Sequence, residues 1–419
     1  MIMREKSLPF QGLKSYQWFR LGAVAVVFLF LVYLGISLPN RGLFEYWGLD
    51  YRAFRASAQI AQREGFSKVY DLVIQEQYQH TLYDEYSGGR GQVTYETVPT
   101  PYLPVFIAIF EILTIFNPIH GFVFWLVVNL LAFALYMVRI KCIFPHVDET
   151  FPWMFFSVAL PLLLNAAFGQ VNLLLVICLG EFIISRISGR EFVSGLWLAG
   201  LFIKPQTLIL IIPGLLISRR SRILAGFLLA STALFMLSLL LAGEEGFKQL
   251  LLLLFQYPFD LATTYPESMM NWRALAINLS VYLPSVVSWG LAVGGILVSI
   301  ATSLSLWFLP SVQSPMMFVL AVMATYAATC TISWHSHVHM AAPLLVPMIL
   351  LLAYSVFPRS LFSLWFFVPA LVFPITAIIL GAGSAHILAG LSYLVLNLLL
   401  ITWCVKTVRS VPQTSHHAI

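Results

Sequence analysis

Asp50 stands in EYWGLDYRAFRASAQIAQREGFSKVYD, residues 45 to 71, directly after the apolar run LGAVAVVFLFLVYLGISL. A carboxyl group at a membrane–water boundary is partly desolvated, which raises its pKa toward the range where a general base works. Aspartate is also a good helix N-cap, and Asp50 falls where a helix would begin, so both roles fit. Arg52 and Arg55 follow it. Each suits either anchoring to lipid headgroups or donation to a phosphate.

Lys204 ends an apolar run in WLAGLFIKPQTLILIIPG. A lone lysine there is costly unless it snorkels to the interface, meets an anion or pairs with an acid such as Asp50. Pro205 breaks the helix, and the N–H groups of a helix opening at Gln206 and Thr207 could receive negative charge. SWHSHVHMAAP places His335, His337 and His339 within five residues. At helical spacing His335 and His339 share a face and His337 does not. They suit interfacial capping, or contact with a phosphate or an acceptor hydroxyl. The run lacks the glutamate of the zinc-protease pattern and a third carboxylate at motif spacing, so no metal is expected.

Other polar groups cluster at turns. NAAFGQVN sets Asn165, Gln170 and Asn172 about a tight hairpin that Gly169 permits. Those amides could satisfy two helix ends, hold sugar hydroxyls or orient Asp50. TYETVPTPYLPVF makes a stiff elbow of Tyr95, Pro99, Pro101, Tyr102 and Pro104, which turns the chain back or walls a headgroup site. Arg273, in MMNWRALAINL, is a cation on a short amphipathic helix.

The elements that position these residues follow from composition. The 419 residues are 60% hydrophobic and 10% charged, against about 25% charge in a soluble domain. Runs long enough to cross a bilayer recur throughout, so the chain reads as one all-α polytopic membrane domain over residues 1–419. Its net charge of +5 lies mostly in short loops, which speaks to topology and not to nucleic acid. Cys142, Cys178, Cys330 and Cys404 are scattered and suggest neither a metal knot nor a disulfide framework. There is no phosphate loop or dinucleotide fingerprint, and no cofactor is expected.

Arg4, Lys6, Lys14 and Arg20 precede the first span, 21–38, and place the N-terminus in the cytoplasm. The later basic clusters Arg139/Lys141, Arg186/Arg190, SRRSR at 218–222, Arg359 and Lys406/Arg409 should share that side. Spans then fall at 119–138, 152–166, 170–186, 192–204, 205–217, 223–243, 284–308, 315–332, 341–357, 360–380 and 386–405, twelve with the first. The proline-led run 101–116 is left on the outer face, and the leucine run before 258 in the interface. Residues 40–118 become a long outer loop with juxtamembrane helices. It holds Glu45, Asp50, Glu64, Asp71, Glu76, Asp84, Glu85 and Glu96, much of the chain's acid. The polar outliers thus gather on one face. A transporter or flippase, the alternative reading, needs a polar path to both, and no internal repeat supports it.

Four pieces in this order, LDYRAFRASAQIAQREGFSKVYD, TPYLPVFIAIFEILT, the run from GQVNLLLV through GLFIKPQTLILIIPGLLISRRSR, and SWHSHVHMAAPLL, carry a family resemblance. The chain resembles the glycosyltransferases of the C-type fold. Among them it is similar to the bacterial polyprenyl-phosphate-mannose-dependent mannosyltransferases (family 87), whose mycobacterial members extend phosphatidylinositol mannosides. The resemblance implies inverting transfer of a sugar, mannose, from a polyprenyl-phosphate sugar to a lipid-linked or glycan hydroxyl. It implies a site on the outer face of the cytoplasmic membrane, among membrane lipids. By position it makes Asp50 the base and puts Lys204 near the donor phosphate. Gly169, Gln170 and Asn172 match its turn, and Trp334 with His335 or His337 its late segment. Arg273 and His339 join the donor side; Tyr102 and Trp334 are the acceptor side. Two departures are Tyr102-Leu103-Pro104, where the family often has a double proline, and Asn271-Trp272-Arg273 in place of asparagine-glutamine-serine.

Overall fold

A chain this apolar has little water to satisfy its backbone, and helices meet that need internally. The computed structural model describes residues 13–40, 44, 47–86, 97–144, 159–256, 265–354 and 356–410. Arg4, Lys6, Glu45, Tyr95, Glu96 and the 152–158 part of one expected span lie outside them. The described residues form α-helices and 3-10 turns with no strand pairing.

α1 (Leu13–Asn40) is the first apolar helix. The loop expected at 40–118 carries α2 (Leu49–Arg63), α3 (Leu72–Tyr86) and α4 (Pro104–Phe110). Then come α5 (Pro118–Ile143), α6 (Leu160–Phe168), α7 (Asn172–Ile187), α8 (Glu191–Ala199), α9 (Ile211–Ile217) and α10 (Ser221–Gln256). α11 (Trp272–Leu279), α12 (Ser285–Ser305), α13 (Pro315–Ile332), α14 (Leu345–Ala353), α15 (Arg359–Leu380) and α16 (Ala382–Ser410) complete the order.

Six of these helices are long and apolar enough to cross a membrane unaided: α5, α10, α12 with its 3-10 extension, α13, α15 and α16. The protein is an all-α polytopic membrane protein. α13 is its central post, with 83% of its apolar window buried against 28% in α12. α1, with 28 residues, carries the first expected span, and two of the other expected spans are shorter. Glu191–Ile203 and Pro205–Ile217 meet at Lys204, and each covers only about 20 Å of a core about 30 Å thick. Neither crosses alone, so the count of twelve is not reached by continuous helices. Pro104–Ile115 is shorter again, which agrees with leaving 101–116 outside the crossings. α10 bends at Gly243, whose φ of 67° no ordinary residue adopts easily, so the leucine run beyond it sets off in a new direction.

The loop helices form a platform on α2. Ten of its fifteen residues are buried, Arg52 and Arg55 among them. Arg52 Nη1 donates to the Phe44 carbonyl at 2.6 Å. Arg55 donates to the carbonyls of Leu113 and of Phe116, the latter at 2.7 Å. The two arginines are therefore clamps on the ends of neighbouring segments, and Arg55 is not a headgroup anchor. The terminal nitrogens of these buried guanidinium groups are thereby paired with backbone carbonyls.

At the other end of the molecule the basic clusters tie short turns. Arg139 holds Glu181 through two bonds of 2.7 and 2.8 Å. Arg186 and Arg220 converge on Glu191 at 3.4 and 3.2 Å, both over the Phe318 ring. α8 and α10 approach so closely that a Cβ on Gly195 would strike the Ile223 carbonyl, and one on Gly226 the Phe192 carbonyl. Small residues permit such backbone contact between membrane helices. Gly195→Leu or Gly226→Leu should therefore lower the thermal midpoint in detergent by several degrees, because overpacking costs about 1–3 kcal/mol or more. Gly290→Leu, on α12 with nothing within 4 Å, should leave the midpoint unchanged. Equal midpoints for all three would remove that packing contact from the account.

Candidate active site

Gly48 takes a left-handed conformation, φ 74°, and is the N-cap of α2. Asp50 is therefore inside the first turn and is not the N-cap that the sequence also allowed. The Gly48 N–H donates to the Ala167 carbonyl at 2.8 Å. That bond ties α2 to the hairpin between α6 and α7. Gly169 at the hairpin tip, φ 73°, leaves no room for a side chain, because a Cβ would lie 2.7 Å from that of Tyr51. Trp125 Nε1 holds the Gly169 carbonyl at 2.8 Å. The next residue, Gln170, thereby reaches Asp50 and hydrogen-bonds to it.

The other amides of the hairpin have a different task. Asn165 Oδ1 accepts from the Asn172 backbone N–H at 2.9 Å and from its Nδ2 at 3.0 Å. Asn172 is fully buried and absent from the cavity wall, so it closes the turn and does not meet a ligand.

Lys204 is 6% exposed and sits in the break between the 3-10 turns Gly200–Ile203 and Pro205–Leu208. Its carbonyl accepts from the Thr207 hydroxyl at 2.8 Å and from the Thr207 N–H at 2.9 Å. The expected helix start after Pro205 is only this four-residue turn. It is too short to act as an anion-binding helix end, because a macrodipole needs several aligned peptide units. Negative charge here must be met by the Lys204 ammonium itself.

The histidines depart from helical spacing. Between Ile332 and Val338 the chain leaves the helix through a bend at Trp334 and His335, and His339 falls in the 3-10 turn Val338–Leu344. His335, His337 and His339 form a row, with ring centroids 5.0 and 5.8 Å apart. All three line the cavity; His337 is not the odd one out. The segment is pinned from α11: Asn271 Nδ2 donates to the Ser333 carbonyl at 2.8 Å, and the Met270 N–H to the Ser336 carbonyl at 2.9 Å. Arg273 belongs to the same support. Its guanidinium lies 4.6 Å from the Trp334 ring centre and its Nη1 donates to the Trp334 carbonyl at 3.3 Å. It does not line the cavity, so its expected contact with donor phosphate becomes a supporting role. Trp334 itself stacks on Trp289 at 6.0 Å and remains on the wall.

These elements enclose a cavity of about 750 Å³. Asp50, Tyr102, Gln170, Lys204, Trp334 and the three histidines share its wall. Tyr102 is set by Phe54, edge to face at 5.1 Å, and its carbonyl accepts from the Tyr70 hydroxyl at 2.7 Å. Burial raises the Asp50 pKa above the ordinary carboxyl value; the Lys204 charge, the Gln170 hydrogen bond and the Arg52 charge oppose it. Burial holds the His335 imidazole well below its ordinary value, and His337, Lys204 and Arg273 push the same way. The site thus presents a carboxyl group of raised pKa, a cation acting on it and a neutral His335 imidazole that can donate or accept. Ile209, Leu254 and Phe255 also line the wall, and Phe255 is 75% exposed, so the cavity reaches an apolar outer surface. Among the described residues no cluster of three or more histidine, cysteine or acidic side chains could hold a metal ion. The four cysteines are unpaired with one another.

The sequence did not single out the wall residues Glu267 and His386, nor the wall tyrosines Tyr83 and Tyr265. Glu267 had the same signal as Asp50, an acid in a chain nearly empty of charge. His386 stacks on Phe168 at 5.8 Å and meets Phe373 at 5.0 Å, and in sequence it looks like the polar start of a span.

No curated protein and no solved structure matches the chain. A sequence profile of glycosyltransferase family 87 matches residues 100–334, more than half of it. The matched stretch runs from the elbow before Tyr102 through Gln170 and Lys204 to Trp334, while the three histidines lie just beyond its end and Asp50 lies well before its start. With the cavity assembled from both parts, the match assigns the protein: it belongs to glycosyltransferase family 87.

Proposed function

We propose that this glycosyltransferase moves a sugar, mannose, from a polyprenyl-phosphate sugar to a hydroxyl of an extracytoplasmic glycolipid or glycan, with inversion. One observation carries the reading: Asp50 and Lys204 face one another electrostatically on the wall of a cavity that also has an apolar, outward-reaching rim. A lipid phosphate sugar matches that combination. Its chain suits Ile209, Leu254 and Phe255, and its phosphate suits Lys204 and the imidazoles. Arg139, Arg186, Arg220, Arg359 and Arg409, from the clusters expected on the inner face, are absent from the wall. That supports a one-sided site of the bacterial cytoplasmic membrane, open to the outside.

Asp50 takes the proton of the acceptor hydroxyl while its oxygen attacks the anomeric carbon. The bond from that carbon to the phosphate oxygen breaks, and polyprenyl phosphate leaves with its charge held by Lys204. A raised pKa makes Asp50 a better proton acceptor once ionised. Gln170 holds the carboxylate in place. Tyr102 and Trp334 wall the acceptor side.

The direct assay incubates purified protein with polyprenyl-phosphomannose and membrane lipids or glycans; absence of any mannosylated product from folded protein would overturn the reading. Asp50→Asn keeps the shape and removes the proton acceptor, so turnover of the folded variant should fall by roughly 10²–10⁴-fold. Near wild-type turnover in that variant would strip Asp50 of the base role. Only ionised Asp50 is a base, and its pKa lies above the free value of about 3.9. Activity should therefore be lost as pH falls through a limb displaced upward from that value, and a flat profile down to it would contradict the assignment. Lys204→Gln should raise the donor KM or lower kcat by about tenfold to a hundredfold, since a charged hydrogen bond is worth about 1.5–3 kcal/mol. Unchanged donor kinetics would move the phosphate elsewhere.

A further inference from the structure

Glu267 is the second carboxylate on the cavity wall, and the reaction above does not use it. It is partly exposed, so the cavity leaves it accessible to a ligand. Its backbone is held firmly. The 3-10 turn Pro266–Ser268 follows Tyr265, which adopts a left-handed conformation, φ 44° and ψ 57°. Asn278 Nδ2 donates to the Glu267 carbonyl at 2.8 Å. Gly390 on α16 allows the Ser268 and Met269 carbonyls to come close, because a Cβ there would lie 2.5 Å from each. A non-glycine residue with positive φ is strained, and such strain persists where the surroundings over-determine it.

The chemistry of this corner is one-sided. An ionised carboxylate only accepts hydrogen bonds. The Ser268 hydroxyl already donates to the Tyr265 carbonyl at 2.8 Å, so its oxygen too is left to accept. Arg273, whose charge interacts with Glu267, is engaged with Trp334 and stands outside the wall. It tempers any preference for a cationic ligand. A phosphate is repelled here and drawn instead to Lys204. What fits is a neutral group that brings several hydrogen-bond donors, namely the hydroxyls of a sugar ring.

We infer that Glu267, with Ser268 beside it, is a sugar-recognition site that accepts hydrogen bonds from neighbouring hydroxyls of a pyranose bound in the cavity. This rests on the transfer reaction proposed above only for which ring is bound, the donor's or the acceptor's. Glu267 is then a specificity-determining residue. It favours epimers whose hydroxyls reach both carboxylate oxygens.

The test has two readouts. Saturation-transfer NMR with epimeric methyl pyranosides measures ring binding without any reaction, and transfer assays vary donor and acceptor separately. Glu267→Gln should weaken pyranoside binding and raise the KM of one substrate by about tenfold to a hundredfold, as for a hydrogen bond to a charged group. Its kcat should stay near wild type, and its preference among epimers should narrow. The substrate whose KM moves identifies the ring. Ser268→Ala leaves every charge in place and should shift the same KM in the same direction, even if Glu267→Gln folds poorly. Wild-type binding, KM and epimer preference in both variants would overturn the inference and leave Glu267 as a counter-charge to Arg273. If the wild type binds pyranosides through Glu267 yet transfers nothing, the recognition site stands and the reaction falls. If the wild type transfers sugar and both variants are unaffected, the reaction stands and the recognition site falls. If the wild type neither binds nor transfers, both fall.

Discussion

Everything about the site depends on keeping a carboxylate and an ammonium in a cavity where water is scarce. Ions withdrawn from water lose several kcal/mol each even after relaxation, and their mutual attraction recovers that only when geometry and hydrogen bonds are good. Asp50 and Lys204 come from elements more than 150 residues apart, yet each is the strongest charged influence on the other. A ligand that brings a phosphate and a hydroxyl gives both groups something to do. The pair is held together by the folding of distant segments, not by any local sequence relation.

That maintenance falls to groups that never touch the cavity chemistry. Arg55 clamps the carbonyls of Leu113 and Phe116, fixing α2 against the turn that follows α4. The Gly48 to Ala167 bond and the close approach of Gly169 to Tyr51 set the height of Gln170. Asn271 and Met270 reach across more than sixty residues to the carbonyls of Ser333 and Ser336, so the histidine row hangs from α11. Each contact satisfies a buried polar group and positions another at the same time. This is why arginines and asparagines of the wrong polarity for a membrane interior are retained.

The wall itself is graded. Lys204 and the imidazoles give one part a basic character, Glu267 and Ser268 make another part acceptor-only, and Leu254 and Phe255 form an apolar margin. A molecule with a phosphate, a ring of hydroxyls and a hydrocarbon chain meets all three, whereas a simple ion or a purely apolar lipid meets one. Specificity of this kind comes from leaving the wrong ligand's host groups unpaired.

The sequence by itself determined the class of protein, because a chain with 60% apolar and 10% charged residues has no soluble alternative. It also determined which residues to suspect: Asp50, Lys204 and the histidines are polar outliers beside apolar runs, and Pro205 and Gly169 announce their breaks without any tertiary information. Tertiary structure decided the roles. Arg55, Arg273 and Asn172 have the same chemistry as ligand-binding groups, and only their distant carbonyl, ring and amide partners and their absence from the wall show that they are supports, whereas Arg52 holds the Phe44 carbonyl and also lines the cavity. The histidine row depended on the chain leaving the helix between Ile332 and Val338, where Asn271 and Met270 bond to the Ser333 and Ser336 carbonyls, and no local propensity declares that. Glu267 has the same sequence signal as Asp50, and its place on the wall was set by α16 packing against its turn. Local patterns report what a residue can do; long-range contacts report whether it is left free to do it.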